Sequence, residues 1–457
     1  MATIAADVLP AASPPQGMTP EQARDPDYFP PLSTAVPLGI QHVLAMFVSN
    51  LAPAIIVAGA AGFGFGSPDP SELIYMIQMS MLFAGIATLM QTIGFGPIGA
   101  RLPLVQGTSF AYLSVMIPIV AGKGVGAMAA LTTAALCGGL FHAALSRMVG
   151  RIRFALPPLV TGLVVLMIGL SLMRIAVQYS AGGPTAIGTP AYGSGQSWLL
   201  AGTVVLATMG LKFFGRGIWS TASVLIGLMV GYLLAAAMGR VSLAAVGPAG
   251  WFMLPMPFHF GFELSASAII GFVLTGFVSS IESIGDVEAI CEGSAGRRAT
   301  DRELIGAVGA DGVGTALSAI FGAMPNTTFS QNVGLIAITG VMSRHVVTVG
   351  ALLLVVSGLL PKVGAVITTI PIEVLGGGVL VMFGMVASSA LAMLSKVEWN
   401  QRNMLIFGLA LSVSLGLQLE PAALAYMAET PRILLTSGVL PAAIIALVLN
   451  LVLPKEA

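Results

Sequence analysis

The chain has 457 residues, of which 56% are hydrophobic and only 8% charged, and its formal net charge is zero. Soluble domains carry about 25% charged residues, so these values, with a mean hydropathy of +0.95, exclude a soluble globular protein and identify a polytopic membrane protein. A balanced charge gives no electrostatic case for nucleic acid, and the two cysteines, Cys137 and Cys291, sit in or beside apolar segments and read as small buried residues.

The first 35 or so residues are rich in Pro, Ala and Asp and lack the basic and apolar regions of a signal peptide, which predicts a solvated cytosolic tail. Apolar runs follow at about 38–61, 72–94, 102–121, 124–146, 156–177, 197–214, 218–238, 266–290, 303–323, 346–361, 374–395, 403–419 and 434–453. Between the ninth and the next run lies Thr327–Gly340, reading TTFSQNVGLIAITG. It is too short and too polar for an ordinary transmembrane helix, and irregular backbone at membrane depth is tolerated where it lines a cavity. Counted as a crossing, it brings the total to fourteen, which about 20 apolar residues per span permit. It is also the first candidate binding segment, since polar side chains at membrane depth usually face a substrate.

With the tail inside, fourteen basic residues fall on the inner side: Arg24, Arg101, Arg147, Arg151, Arg153, Lys212, Arg216, Arg297, Arg298, Arg302, Arg344, Lys396, Arg402 and Lys455. Only Lys123, Arg174, Arg240, Lys362 and Arg432 fall outside. This asymmetry is what the positive-inside rule expects, and it predicts both termini in the cytoplasm of a plasma (inner) membrane.

Fourteen spans divide into two halves of seven with opposite orientation, the topology of an inverted repeat. The third span of each half carries an echo of the other: Gln106–Phe110 (QGTSF) and Thr327–Ser330 (TTFS), each following a proline, Pro103 or Pro325. Two interrupted crossings at corresponding places predict a site between them at the bilayer midplane.

Ionisable residues inside the apolar runs point to the same place. A charge at the bilayer centre costs roughly 2.5–3.5 kcal/mol on insertion scales, yet the eighth span carries Glu282, Asp286 and Glu288, the ninth Asp311, and the first His42. Glu282 and Asp286 are four apart and share a helical face, whereas Glu288 turns away toward the cytosolic end. His42, beside Gln41, is a candidate member of a proton network with a buried acid. Asp311, in a small Gly-rich setting, can anchor a neighbouring helix or relay a proton. His142, His259 and His345 are assigned no chemistry. There is no HExxH, GxSxG or Walker loop and no clustered His and Cys ligands, so an enzyme is unmotivated and no metal is expected.

The order and spacing of these residues resemble the nucleobase/ascorbate transporter family, in particular its bacterial xanthine and urate permease branch. Gln331, Asn332, Gly334 and Thr339, with Gly340 after it, fit the family signature of Gln, Glu or Pro, then Asn, any residue, Gly, four residues and Thr. Gln41 and His42 in QHVLAMF, Gln106–Ala111 in QGTSFA, Glu282 in ESIGD and Asp311 in ADG are similar to its other markers, and the resemblance covers about residues 30–453. It implies an all-α protein with a seven-plus-seven inverted repeat, short strands in the broken third and tenth segments, and two domains. A core would comprise residues 36–153 and 262–368 (spans 1–4 and 8–11), and a gate residues 154–240 and 369–457 (spans 5–7 and 12–14), after a tail of residues 1–35. It further implies a proton-coupled importer, with the proton as coupling ion and no other cofactor, working by elevator movement as a homodimer in lipid. Glu282, Gln331, Phe110, Ser109, Ala111 and Ser330 would meet the base. His42, Asp311, Asn332, Gln106, Asp286 and Thr339 would serve proton coupling or site architecture.

The chemistry of the residues agrees with these roles. An ionised Glu282 can accept two N–H bonds from a planar base while the Gln331 amide supplies one donor and one acceptor. Phe110 offers a stacking face worth about 1–3 kcal/mol by analogy with nucleic-acid proteins. In the family Gln at position 331 goes with oxidised purines, Glu with uracil and Pro with ascorbate. A neutral amide also suits urate, an anion that a second carboxylate would repel. Val333 stands where many purine members have Asn, which leaves xanthine, urate and other purines undistinguished. Sodium coupling would want a second cluster of oxygen ligands, and none is visible. A uracil or broad nucleobase permease and an anion exchanger of the same architecture are the alternatives, followed by a channel and a non-transporting receptor.

Overall fold

A computed structural model describes residues 18–65, 67, 69–152 and 157–454. The first seventeen residues of the predicted tail, together with Arg153 and Lys455 of the charge asymmetry, lie outside them. A short helix α1 (Pro20–Arg24) precedes α2 (Leu32–Ala61) and α3 (Ser71–Ile93). Strand β1 (Gln106–Thr108) follows, then α4 (Leu113–Val120), α5 (Ala127–Leu145), α6 (Val149–Ile152), α7 (Pro158–Ser180), α8 (Gly195–Phe214), α9 (Ile218–Thr221) and α10 (Ser223–Ala237). The second half runs through α11 (Ala266–Ile290), α12 (Asp301–Ile320), β2 (Asn326–Thr328), α13 (Ser330–Thr339), α14 (Arg344–Gly358) and α15 (Pro361–Ile367). It ends with α16 (Ile372–Leu394), α17 (Gln401–Leu419), α18 (Glu429–Thr436) and α19 (Val439–Val452).

Among the described residues nine helices are long and apolar enough to cross a membrane, and eleven if each of two bent pairs counts as one span. The other predicted crossings take different forms. The seventh run is the shorter apolar helix α10, separated from α9 at Ala222. The eleventh run stops at Gly358, and Pro361, which has no amide to continue the helix, opens α15 at 86° to α14. The fourteenth bends by 81° between α18 and α19 at Gly438, whose φ of 73° favours glycine. The third and tenth crossings are broken, as the polar, proline-preceded segments predict, and each is a three-residue strand followed by a short helix, as the family resemblance implies.

The helix partners repeat by symmetry. α5 packs on α12 as α3 packs on α14, α11 on α5 as α2 on α14, and α10 on α8 as α17 on α19. The fourth span thus meets the ninth just as the eleventh meets the second, which is the inverted repeat seen in space. The α5–α12 seam is backbone on backbone. A Cβ on Gly312 would lie 2.2 Å from the Ala143 amide nitrogen, and one on Gly139 2.5 Å from that of Ala316, the small-residue contact expected between helices in lipid. α7 and α16, the fifth and twelfth spans, form the extensive pair of the remaining helices.

The expectation of a solvated tail is corrected for residues 18–35. The Met342 amide donates to the Ala23 carbonyl at 2.7 Å and the Arg344 amide to that of Pro26 at 3.0 Å. The Ser343 hydroxyl donates to the Tyr28 carbonyl at 2.6 Å, Arg344 Nε pairs with Asp27 at 2.6 Å, and Met18, Ala23 and Ala35 pack against Val341 and Val346. The α13–α14 connection offers unpaired backbone amides, and the Thr19–Gln22 capping box fixes α1 where its carbonyls meet them. Composition alone carried no trace of that partner.

Candidate functional site

The site is built around the two strands. β1 and β2 pair antiparallel, Gln106 with Thr328, Gly107 with Thr327 and Thr108 with Asn326. The pairing extends through Ser109 N to Pro325 O at 2.8 Å and Phe329 N to Val105 O at 2.9 Å. Strand amides facing away from the pair need partners inside the protein, and threonines on symmetric helices supply them. Gln106 N donates to Thr88 Oγ1 on α3 at 2.9 Å, and Asn326 N to Thr315 Oγ1 on α12 at 3.0 Å. Asn50, in the middle of α2, accepts the Thr108 amide at 2.9 Å and the Thr108 hydroxyl, and donates to the Ser80 carbonyl at 3.1 Å. Gly107 has to be glycine because a Cβ there would lie 2.6 Å from the Phe329 ring.

Asp311 is the hub of this frame. It is fully buried and accepts from Gln106 Nε2 of β1, Thr328 Oγ1 of β2 at 3.4 Å, Ser283 Oγ of α11 and Gln91 Nε2 of α3 at 3.1 Å. All four partners donate, the pattern suited to an acceptor-only carboxylate. Four elements therefore converge on one side chain.

Beside the strands lies a cavity lined by Phe110, Glu282, Thr327, Thr328, Phe329, Ser330 and Gln331, with Val165 and Ile168 of α7 and Val386 and Ser389 of α16 opposite. Its volume is about 20 Å³, the space of a single water, with α7 and α16 closed over the strands. Glu282 Oε2 is buried and has no hydrogen-bond partner among the described residues, which leaves it available to a ligand. Phe110 and Phe329, which follow the two strands at the second and first position, lie nearly parallel at 6.5 Å and 13°, and Phe383 meets Phe110 edge-on at 5.3 Å. α13 starts here without a side-chain cap, at Phe329, and Ser330 and Gln331 of its first turn line the cavity, at the positive end of the helix dipole.

Of the residues expected to meet a base, Glu282, Gln331, Phe110 and Ser330 line this cavity. Ser330 also donates to Asp286 at 3.0 Å, which ties Asp286 to the start of α13. Ser109 and Ala111 are fully buried behind Phe110 in sequence and are not cavity-lining; the Ser109 hydroxyl has no described partner. Asn332 Nδ2 donates to His42 Nδ1 at 3.1 Å and to the His42 carbonyl at 3.0 Å. Among the described hydrogen bonds none joins His42 to Glu282, Asp286 or Asp311. Thr339 closes α13 at its far end, where its hydroxyl bonds the Leu335 carbonyl at 3.0 Å.

Sequence reasoning did not single out Asn50, Gln91, Thr88, Thr315, Phe329 or the four residues of α7 and α16. Phe329 lies within the TTFS echo, but the strand register makes it the counterpart of Ser109, one residue off the match of the two phenylalanines. Val165, Ile168, Val386 and Ser389 lie in ordinary apolar runs with no distinguishing signal.

The Xan_ur_permease model, described as a permease family, matches residues 33–422. The chain is 36% identical over 420 residues to the uric acid permease PucJ of Bacillus subtilis, covering 91% of each chain. It is 35% identical over 440 residues to the xanthine permease XanP of Escherichia coli, covering 93% of each. A solved structure of similar fold is the transmembrane domain of the cyanobacterial bicarbonate transporter BicA, with a TM-score of 0.55 and 14% identity over 92% of this chain and 98% of that one. Another is the murine anion transporter Slc26a9 in its inward-facing state, with a TM-score of 0.61 and 13% identity over 91% of this chain and 67% of that one. At such identities the likeness concerns fold alone.

Proposed function

The chain belongs to the nucleobase/ascorbate transporter family, and on that premise we propose that it imports an oxidised purine nucleobase, xanthine or urate, by proton symport. The observation that carries this reading is the meeting of Glu282, Gln331 and Phe110 at one cavity beside the paired strands. Glu282 presents an unpaired carboxylate oxygen to adjacent N–H groups of the base, Gln331 adds a donor and an acceptor, and Phe110 covers the ring face. The uncapped start of α13 offers the amides of Ser330 and Gln331 to the base carbonyls. Discrimination then follows from the penalty of about 1–3 kcal/mol for each buried partner a wrong base leaves unpaired.

The strands with α2–α6 and α11–α15 act as the core, and α7–α10 and α16–α19 as the gate. The core slides against the gate, carrying the site across the membrane, because a cavity shut to about 20 Å³ by α7 and α16 has to open by their separation. A proton travels with the base by neutralising one carboxylate of the Glu282, Asp286 and Asp311 group during the crossing, since a charge at bilayer depth is costly. Both termini lie in the cytoplasm, which the side of the basic residues supports. Two copies pair through the gate, whose α17 presents Met404, Leu405, Leu409 and Val413 outward.

Uptake of labelled xanthine and urate into cells lacking their own purine permeases, at several pH values and with or without a protonophore, tests this. Accumulation that collapses with the proton gradient and is competed by xanthine or urate but not uracil is the expected result. No saturable uptake of any base by correctly inserted protein would sink the reading.

A further inference from the structure

An apolar cavity lies apart from the site of the two strands. It holds about 360 Å³ between α2, α10, α15 and α16, in the half of the bundle that contains the C-terminal end of α2. Leu51, Ile55, Leu228 and Val379 form its inner wall, each less than 4% exposed, while Leu233 and Val366, 66% and 52% exposed, stand at its mouth. The mouth is therefore continuous with the outward apolar surface that faces the bilayer. The polar groups of its wall are already engaged: the Tyr232 hydroxyl with that of Thr369 at 3.0 Å, and the Tyr179 hydroxyl with the Ile55 carbonyl at 3.4 Å. A purine would find no partner there, and an apolar cavity does not retain water.

We propose that this cavity is a binding site for one acyl chain of a bilayer lipid, inserted between α2 and the α10–α16 pair. The surrounding phase consists of such chains, the cavity opens onto it, and its size falls within the range of about 300–1,000 Å³ typical of ligand pockets. The same two helices hold the strand site. α2 carries Leu51 beside Asn50, which fastens β1, and α16 carries Val379 one turn before Phe383, which packs on Phe110. Val386 of the strand-site cavity lies seven residues further along α16, about 10 Å at 1.5 Å per residue. The acyl chain thus fills one part of the seam between two groups of helices while the strand site occupies another part further along α16.

The test is photolabelling of the full-length protein in liposomes doped with a phosphatidylethanolamine bearing a diazirine near the end of one acyl chain, with adducts mapped by mass spectrometry. Adducts on Leu51 and Ile55 are expected, because lipid on the outer surface cannot reach them. Leu228→Trp, which fills the cavity, abolishes those adducts and leaves labelling of Leu206, 72% exposed on α8, as the control for insertion and folding. Should Leu228→Trp fail to fold, Ala52→Phe fills the same space from α2. Adducts confined to outward residues, inner-wall labelling unchanged in a folded filled variant, or a contact between two copies closing the mouth at low protein-to-lipid ratio would each overturn the proposal.

Discussion

Asn332 fastens the tenth crossing to the first: its side-chain amide donates to both Nδ1 and the backbone carbonyl of His42. His42 is buried in the middle of α2, so its Nδ1 has no access to water, and an accepting Nδ1 places the proton of the neutral ring on Nε2. The histidine and the asparagine of the signature are thereby one structural unit 290 residues apart.

Asn332→Ala leaves the buried Nδ1 of His42 without its donor and removes a second bond to a carbonyl that α2 already pairs along the helix. A loss of about 1–3 kcal/mol in stability is expected, visible as a lowered Tm in detergent, with uptake reduced as α13 loosens. A Tm equal to that of the parent would show that the pair contributes nothing to holding the half-helix.

Glu282→Gln keeps size and shape while removing the charge proposed to receive the base. Hydrogen bonds to charged groups contribute about 1.5–3 kcal/mol, so uptake is expected to fall by roughly ten- to a hundredfold with insertion intact. Because the variant has no carboxylate to titrate at this position, its residual uptake should also depend less on external pH. Parent-like uptake and pH dependence would remove Glu282 from the mechanism.

Gln331→Glu places a second carboxylate on the cavity that already holds Glu282. Like charges at close range repel an anionic ligand, so competition by urate is expected to weaken more than competition by xanthine. The ratio of the two inhibition constants, measured in parent and variant, reads this directly.

Asp311→Asn damages the frame more than the ligand contacts. An amide cannot accept from Gln91, Gln106, Ser283 and Thr328 together as the carboxylate does. A larger fall in Tm than for Asp286→Asn is therefore expected, since the one described side-chain donor to Asp286 is Ser330.

Ser389→Trp introduces an indole where α16 faces the strands. The cavity has room for about one water, so uptake should be lost with insertion intact, and Tm should fall modestly because overpacking costs about 1–3 kcal/mol. Retained uptake would place the permeation route elsewhere.

The helices were legible because apolar runs of about 20 residues have few alternatives in a membrane protein. The two broken crossings were legible because Gln106, Ser330 and Gln331 are conspicuous among apolar neighbours. The supporting shell was not. Asn50 and Gln91 sit singly in long apolar helices, and nothing in their local pattern says that one fastens β1 while the other reaches Asp311 from α3. The wall opposite the strands escaped notice for the opposite reason, since Val165, Ile168 and Val386 look like any lipid-facing residue until α7 and α16 are packed together.

The strand pair has a consequence for biosynthesis. Gln106 and Thr328 are 222 residues apart, so β1 leaves the ribosome long before β2 exists. At about 5–20 residues per second that interval is roughly 10–45 s, during which β1 sits in an apolar setting with its backbone groups unpaired. Such groups are too costly to present to lipid. The first half of the nascent chain therefore has to be sheltered, by the insertion machinery or by water at the membrane surface, until the second half arrives to complete it.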